Sequence, residues 1–288
     1  MANGILIVDK PAGWTSQDVA AKLRGVFREK RVGHGGTLDP MATGVLPIFV
    51  GRATRAVPFF EHADKVYEAV LRLGLVTDTQ DITGRTLAEH PVNITPEQME
   101  QILPRFRGEI DQLPPMYSAI KVNGQKLYAL ARRGEEVART PRRITVYALN
   151  VLDARGADWK LRIHCSKGTY VRTLCHDIGA ALSCGGCMAA LRRTRAGRYD
   201  LSGAHTMEEI LAAKDPEALL LPVDSLFSDR PAMTVDEAAE QKLRHGAKLK
   251  ALRCADGEYR VYARNGEFLL LAAVNRGELT TVKSFFEV

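Results

Sequence analysis

Long hydrophobic runs are absent from this sequence of 288 residues. The longest apolar stretch, Phe268 to Val274, ends at Asn275 and is far shorter than the ~18 residues that a membrane-spanning helix needs. The N-terminus has no cationic segment, and its apolar run, Ile5 to Val8, is too short for a signal peptide. We therefore expect a cytoplasmic protein that does not enter a membrane.

The sequence contains few cysteines, and their number is odd. The five cysteines are Cys165, Cys175, Cys184, Cys187 and Cys254. An odd number in a long chain without an export signal favours free thiols over disulfides. Cys184 and Cys187 have the spacing of half a zinc site, but no second Cys-x-x-Cys or His-x(3 to 5)-His pair completes it. We expect no structural metal.

Motifs for nucleotide, metal and dinucleotide binding are also missing. The sequence has no Gly-x(4)-Gly-Lys-Ser/Thr loop, no Gly-x-Ser-x-Gly elbow, no His-Glu-x-x-His pair and no Gly-x-Gly-x-x-Gly fingerprint. Each of these patterns supplies the groups that a particular cofactor or nucleophile needs. Their absence argues against nucleotide hydrolysis and the usual cofactor chemistry, and we expect no cofactor.

Positive charge, by contrast, is concentrated in one region. The chain has a net charge of +6, whereas residues 101–200 alone hold 18 Lys and Arg against 8 Asp and Glu. Basic residues alternate there with aromatic and apolar ones in two stripes: Lys121, Lys126, Tyr128, Arg132, Arg133, Arg139, Arg142 and Arg143, and then Arg192, Arg193, Arg195, Arg198 and Tyr199. Such stripes suit phosphates and exposed bases, although a solvated charged face explains either stripe equally well.

The hydrophobic pattern predicts a mixture of strands and helices. Ile5 to Val8 is typical of a buried strand, and the helix after it is capped by Thr15 or Ser16. Further strands are predicted at Val45–Val50, Lys65–Leu73, Ile144–Leu152 and Trp159–Cys165. Capping boxes at Thr95 and Thr206 begin helices, Asn123-Gly124 favours a hairpin turn, and residues 170–182 have helical spacing.

The elements follow no regular β-α-β order, so we predict an α+β fold around a mixed, mostly antiparallel sheet with flanking helices. The polar segment Ser228–Pro231 separates the last part of the chain, which is β-rich and contains evenly distributed glycines. We therefore predict two domains, a larger one at residues 1–229 and a small β-rich one at residues 231–288.

A loop without periodicity stands out between Lys30 and Gly44. Its glycines, Gly33, Gly35 and Gly36, would let the backbone approach a bulky ligand, and Asp39-Pro40 holds the aspartate extended. For a lone loop aspartate, ordinary turn chemistry is the more common explanation.

Five separate segments identify a resemblance to a known family. They are Asp9–Ser16 (DKPAGWTS), Gly33–Val45 (GHGGTLDPMATGV), Lys65–Tyr67 (KVY), Pro115–Lys121 (PMYSAIK) and Lys167–Leu174 (KGTYVRTL). In order and spacing they resemble the bacterial tRNA pseudouridine(55) synthases, which are TruB-type enzymes. The resemblance covers roughly the first 230 residues. The remaining tail is similar in size and pattern to the PUA-like RNA-binding domain of such enzymes.

The resemblance implies an isomerase that converts a uridine, U55 in the T-loop of tRNA, into pseudouridine. The enzyme cuts the glycosidic bond, turns the base and rejoins it through C5, without a cofactor. Asp39 then corresponds to the catalytic carboxylate, either as a nucleophile on the nucleoside or as the base in a glycal route. The residues leave both routes open.

The same resemblance assigns roles to five further residues. Arg172 matches the arginine that pairs with the aspartate, and Tyr67 matches the tyrosine that stacks on the target base. His34 matches the residue that fills the space left by the flipped-out nucleotide. Tyr170 and Leu191 match positions that line the substrate pocket.

Two other functions fit some of these residues. A non-catalytic RNA-binding or tRNA-folding chaperone would share the basic stripes, although it would not need Asp39, Tyr67 and Arg172 together. A synthase directed to another RNA by a guide complex is disfavoured by the compact length without tails. We expect a monomer that requires no protein partner, with the T-arm of tRNA as its ligand.

Overall fold

The computed structural model describes residues 1–118, 120–122 and 124–287. Its strands are β1 (Gly4–Lys10), β2 (Val32–His34), β3 (Thr43–Val50), β4 (Lys65–Leu73), β5 (Leu75–Thr77), β6 (Thr86–Glu89), β7 (Gly108–Gln112), β8 (Lys121–Val122), β9 (Gln125–Lys126), β10 (Arg142–Arg155), β11 (Asp158–Cys165), β12 (Gly186–Ala196), β13 (Tyr199–Asp200), β14 (His205–Thr206), β15 (Ala232–Thr234), β16 (Gly257–Tyr262), β17 (Phe268–Asn275) and β18 (Glu278–Ser284). Its α-helices are α1 (Ser16–Phe27), α2 (Val57–Phe60), α3 (Pro96–Ile102), α4 (Leu127–Ala131), α5 (Val171–Ala181), α6 (Met207–Ala212) and α7 (Glu237–Arg244).

One large sheet organises most of the chain. Its strands lie in the order β14-β1-β3-β12-β4-β11-β10-β7, with β13 paired to β12 and β2 paired to β3. The pairs β1–β14 and β3–β12 are parallel and the other pairs are antiparallel. The predicted α+β class with a mostly antiparallel sheet is therefore confirmed.

The main core lies between one face of this sheet and the helices, and a second buried cluster contains the alternate residues Ile5 and Ile7 of β1 and Val45 and Phe49 of β3. Along β4, Tyr67, Ala69, Leu71 and Leu73 are buried and share one face, as their period-2 spacing predicts. Helices α1 and α5 cover the main core with their own apolar stripes. Helix α5 packs against β12 and β4, and its first turn lines the site described below together with Tyr67 of β4.

Local signals in the sequence are borne out at several helix ends. Thr15 caps α1 and forms a capping box with Asp18. Thr95 and Thr206 form the same motif at the starts of α3 and α6. Strands β8 and β9 pair as the predicted hairpin requires, but Asn123 of the predicted turn lies outside the described residues.

The aperiodic segment from Lys30 to Gly44 contains a strand that the sequence did not predict. Residues Val32–His34 form β2, which pairs antiparallel with β3. Three residues are too few to show an alternating pattern, so the strand carries no signal of its own.

The C-terminal part of the chain forms a second sheet in the order β15-β16-β17-β18, so the predicted β-rich character is confirmed. Phe227, just before it, lies 6.2 Å and 5.9 Å, centroid to centroid, from the rings of Phe268 and Phe285. The domain boundary near residue 230 and the RNA-binding role of this part stay predictions. In the described part of the chain, no helix combines the length and apolar character that crossing a bilayer requires.

Candidate active site

A cavity of about 880 Å³ opens beside the loop that joins β2 to β3. Five of the six residues that the resemblance singles out line it: Asp39, Tyr67, Tyr170, Arg172 and Leu191. They come from a loop, two strands and the start of a helix, and the fold brings them together. The volume lies within the range of about 300–1,000 Å³ typical of small-molecule sites.

The backbone on both sides of Asp39 is held by the N-terminal segment. The Ser16 hydroxyl accepts a hydrogen bond from the Leu38 N–H at 2.8 Å and donates one to the Leu38 carbonyl at 3.3 Å. The Gly13 N–H donates to the Pro40 carbonyl at 2.8 Å. These hydrogen bonds hold the backbone of Leu38 and Pro40 in place on either side of Asp39. The Asp39 side chain lines the cavity from this fixed backbone.

A buried lysine strengthens this support. Lys10, fully buried at the end of β1, donates from Nζ to the carbonyls of Pro11 at 2.8 Å, Trp14 at 2.6 Å and Pro40 at 3.2 Å. Burial lowers the pKa of Lys10 to about 8, while the Asp39 charge opposes this shift. Lys10 therefore ties three backbone carbonyls into one turn next to the aspartate.

Arg172 lies between two carboxylates. Its Nη2 is 3.1 Å from Asp39 Oδ1, and its Nη1 is 3.6 Å from Asp81 Oδ2. The Arg172 side chain is buried, and that of Asp39 is 30% exposed, so the pair faces the cavity from the Asp39 side. Burial raises the pKa of Asp39 and outweighs the Arg172 charge, which lowers it, while the Asp81 charge raises it further.

Asp81 is the main site residue that the sequence did not reveal. It is buried, and its Oδ1 accepts hydrogen bonds from the hydroxyls of Thr79 at 2.9 Å and Thr83 at 2.6 Å and from the Thr83 N–H at 3.0 Å. Gln80 before it has a φ of 64° and accepts a hydrogen bond from the Thr173 hydroxyl at 2.7 Å. The run of threonines and aspartates at residues 77–83 was the available signal.

Tyr67 lies on β4 opposite Ile163 of β11 and Arg193 of β12. Its side chain is buried yet borders the cavity. Burial raises the pKa of the Tyr67 hydroxyl, and the nearby Arg193 charge only partly opposes the shift. The phenol is therefore protonated at neutral pH.

Tyr170 and Leu191 form other parts of the wall. The Tyr170 backbone is held by Gln112, which accepts from the Tyr170 N–H at 2.8 Å and donates to the Tyr170 carbonyl at 3.0 Å. The Tyr170 ring lies 5.9 Å from the Arg172 guanidinium. Leu191 on β12 pairs with Ala69 of β4 and presents an apolar surface.

His34 is the predicted residue that does not line the cavity. It ends β2 and pairs with Ile48 of β3. Its Nδ1 is buried without a hydrogen-bond partner among the described residues. Burial, aided by the Arg193 charge, lowers the pKa of His34, so the imidazole is neutral at neutral pH.

The environment of Arg193 argues against the interpretation of the second basic stripe as a surface for phosphates and exposed bases. It is almost fully buried, and its guanidinium donates to the carbonyls of Val45 at 2.7 Å and Gly36 at 3.2 Å. Arg192 and Arg195, its neighbours in the stripe, are ion-paired with Asp9 and Asp64. The stripe is therefore not a uniform phosphate-binding surface, and Arg193 holds the aspartate loop from behind.

One of the three loop glycines, Gly35, serves a different purpose from the predicted one. A Cβ on Gly35 would lie 2.5 Å from a ring carbon of Phe60, so this glycine allows close packing of the protein itself. Gly36 has a φ of 120°, a conformation that side chains disfavour. A Cβ on Gly33 would meet no atom within 4 Å. The predicted approach of the backbone to a ligand does not explain Gly35.

The cysteines give no sign of a metal centre. Cys165, Cys175, Cys184 and Cys187 are buried free thiols. Burial raises the pKa of Cys165 and of Cys187 to about 11, so both are protonated at neutral pH. Across residues 1–118, 120–122 and 124–287, no three His, Cys, Asp or Glu side chains are grouped so that they could hold a metal ion.

Two solved structures have a fold similar to that of this chain. The chain resembles a chain in the crystal structure of a Cbf5-Nop10-Gar1 complex with a TM-score of 0.74 at 25% identity, covering 99% of this chain and 85% of that one. A structure of an H/ACA RNP bound to a substrate RNA containing 2'-deoxyuridine gives a TM-score of 0.74 at 24% identity, with 99% and 86% coverage.

Comparison of sequences then gives the class and the family. The model described as TruB family pseudouridylate synthase (N terminal domain) matches residues 24–171, and the model described as tRNA pseudouridylate synthase B C-terminal domain matches residues 172–228. The fold and these family matches therefore define a pseudouridylate synthase, an isomerase.

Curated relatives agree with the match. A tRNA pseudouridine synthase B of Ralstonia pickettii is 47% identical over 90% of this chain and 84% of its own length, and one of Azoarcus sp. is 43% identical over 97% and 93%. The chain belongs to the TruB family of pseudouridylate synthases.

Proposed function

We propose that the chain converts U55 in the T-loop of tRNA into pseudouridine. The observation that carries this proposal is the ion pair between the partly exposed Asp39 and the buried Arg172, 3.1 Å apart, at the wall of a cavity in a chain of the TruB family. The relatives named tRNA pseudouridine synthase B support tRNA as the substrate.

The reaction needs one ionised carboxylate and no outside group. The bond between N1 and C1′ breaks, the base turns, and a bond between C5 and C1′ forms. N1 gains a proton and C5 loses one, so the change is an isomerisation without oxidation or reduction. Asp39 acts in its charged form, as a nucleophile on the nucleoside or as the base that leads to a glycal.

The other cavity residues prepare this step. Arg172 aims the Asp39 carboxylate and favours its ionised form. Tyr67 stacks on the base, and its protonated hydroxyl can relay a proton near C5. Tyr170 and Leu191 provide surfaces against which the nucleotide packs.

The uridine reaches the cavity by leaving its stacked position, which costs a few kcal/mol. His34, outside the cavity with a neutral ring, fills the space that the nucleotide leaves. The β-rich part at residues 231–288 binds RNA as a PUA-like domain, and the protein acts as a monomer.

The test is to mix the purified chain with an unmodified tRNA transcript, without added metal or nucleotide, and to map pseudouridine by position. The proposal predicts modification at position 55. Binding of the transcript without any pseudouridine would contradict it, and modification only at another position would remove the U55 assignment.

A further inference from the structure

Two lysines in the cavity wall lack a carboxylate partner within ion-pair distance among the described residues. Lys65, at the start of β4, and Lys167, between β11 and α5, both line the cavity with Asp39. Among the described residues, the lysines with a carboxylate oxygen within 4.0 Å are Lys160 and Lys248. The two cavity lysines thus have no ion-pair partner in the described chain.

An acidic side chain close to Lys65 is already engaged. Asp64, next to Lys65 in sequence, accepts a hydrogen bond from Arg195 at 2.9 Å and also contacts His164 Nε2. The Lys65 ammonium donates instead to the backbone carbonyls of Ala63 and Glu61. Carbonyl oxygens satisfy two of its hydrogens but do not neutralise its charge.

Burial makes this charge costly. Lys65 is 8% exposed, and burial lowers its pKa to about 8, with the positive charges of Arg193 and Lys167 adding to the effect. An anion beside the ammonium would reverse this cost. The same wall also offers Lys167, which is exposed and whose Nζ lies 3.3 Å from His62 Nε2.

We propose that Lys65 and Lys167 form a subsite that binds one phosphodiester group of the RNA, adjacent to the nucleotide on which Asp39 acts. The inference rests on the proposed function and adds a ligand contact to it. Gly168, next to Lys167, is exposed and also lines the cavity, so this part of the wall is accessible to a ligand. An RNA phosphate would lie between the two ammonium groups and supply the missing negative charge.

The experiment compares the binding of an RNA hairpin with and without the negative charge of one phosphodiester linkage. An RNA hairpin with the target uridine is prepared with a neutral methylphosphonate on its 5′ side, on its 3′ side, or on neither. Dissociation constants are measured with the full chain carrying Asp39→Asn, so that no turnover occurs, and with Lys65→Met or Lys167→Met added. Lys160→Met is the matched control, since Lys160 pairs with Glu68 and does not line the cavity.

We expect the neutral linkage on one side to weaken binding about tenfold in the Asp39→Asn chain and in the Lys160→Met control. In the Lys65→Met and Lys167→Met chains the same linkage should weaken binding by less than about threefold, because one of the two ammonium groups that hold the phosphate is gone. The slope of log K against log salt should also fall by about 1 in each of these two variants.

Equal linkage effects in all four chains would overturn the subsite. Lys65 also caps the turn at residues 61–63, so thermal unfolding of each variant is measured in parallel. A lower midpoint for Lys65→Met together with an unchanged linkage effect would show that Lys65 has only this structural role. These dissociation constants are measured without turnover. They can therefore contradict the phosphate subsite even when the mapping experiment finds pseudouridine at position 55.

Discussion

Ser16 and Leu38 are joined by two hydrogen bonds through a single hydroxyl group, which accepts from the Leu38 N–H and donates to the Leu38 carbonyl. Thr15, the residue before Ser16, caps helix α1. The two adjacent hydroxyls therefore have separate tasks: one begins a helix, and the other fixes the backbone that leads into Asp39.

Replacing Ser16 with Ala should slow catalysis more than it weakens RNA binding. The variant leaves the Leu38 N–H without its partner and frees the approach to Asp39, which we expect to reduce the single-turnover rate about tenfold, the equivalent of one hydrogen bond of ~1.4 kcal/mol. Thr95→Ala is the control, since Thr95 also forms a capping box but does not line the cavity. It removes a helix cap at a cost of ~1 kcal/mol of unfolding free energy and should leave the rate unchanged. Equal slowing in both variants would contradict a specific role for Ser16.

Replacing Asp39 with Asn should abolish pseudouridine formation while tRNA affinity stays within a few-fold of the parent. The amide is close to isosteric, but it lacks the charge that either chemical route requires. Most of the affinity for RNA comes from contacts with the backbone phosphates. Rapid-quench assays and filter binding on the same samples measure the two quantities. Substantial turnover by this variant would rule out Asp39 as the catalytic carboxylate.

Replacing Arg172 with Gln should move the acid limb of the rate profile to higher pH. The proposed reaction needs an ionised Asp39, so we expect the rate to fall as the pH drops through the pKa of Asp39, which burial already raises. Loss of the guanidinium removes the contribution that lowers this pKa, and the carboxyl becomes protonated at a higher pH. Arg172→Lys keeps the charge and is the control. Single-turnover rates are measured in mildly acidic to neutral buffers. The acid limb should shift to higher pH in Arg172→Gln and should shift less in Arg172→Lys.

Replacing Asp81 with Asn should move the same limb in the opposite direction. The Asp81 charge raises the pKa of Asp39, so its removal makes Asp39 easier to ionise. The amide can still accept a hydrogen bond from Thr79 or Thr83 through its oxygen. A shift toward higher pH would instead mean that Asp81 acts mainly by aligning Arg172.

Local patterns in the sequence predicted the helix starts at Thr95 and Thr206 and the buried face of β4. Each of these features depends on residues within a few positions of one another. The candidate site depends on longer separations, since Asp39 and Arg172 are 133 residues apart along the chain. Only the resemblance to a known family connected them in the sequence.

Other parts of the site carried sequence signals that did not specify the role of each residue. Arg193 belongs to a run of basic residues, and charge alone cannot distinguish a guanidinium bound to carbonyls from one that faces solvent. Asp81 lies in a short polar loop, and its importance follows from its contact with Arg172. His34 matched a motif, yet it lies beside the cavity rather than in its wall.

Replacing Gly44 with Ala should destabilise the protein strongly because two strands approach each other at this position. Gly44 pairs with Arg193 across β3 and β12, has a φ of 101°, and would place a Cβ 2.2 Å from the Arg193 carbonyl oxygen. Gly108→Ala is a matched control, since Gly108 has a φ of 81° but open space around a Cβ. The control should cost ~1–2 kcal/mol of unfolding free energy from backbone strain alone.

We expect Gly44→Ala to cost at least about 2 kcal/mol more than the control, as measured by urea unfolding. The overlap involves backbone atoms of β12, so the strand must shift. That shift carries the Arg193 side chain away from the carbonyls of the aspartate loop, and the single-turnover rate should fall even in the fraction that remains folded. A Gly44→Ala chain as stable as Gly108→Ala would mean that the β3–β12 contact is looser than 2.2 Å implies.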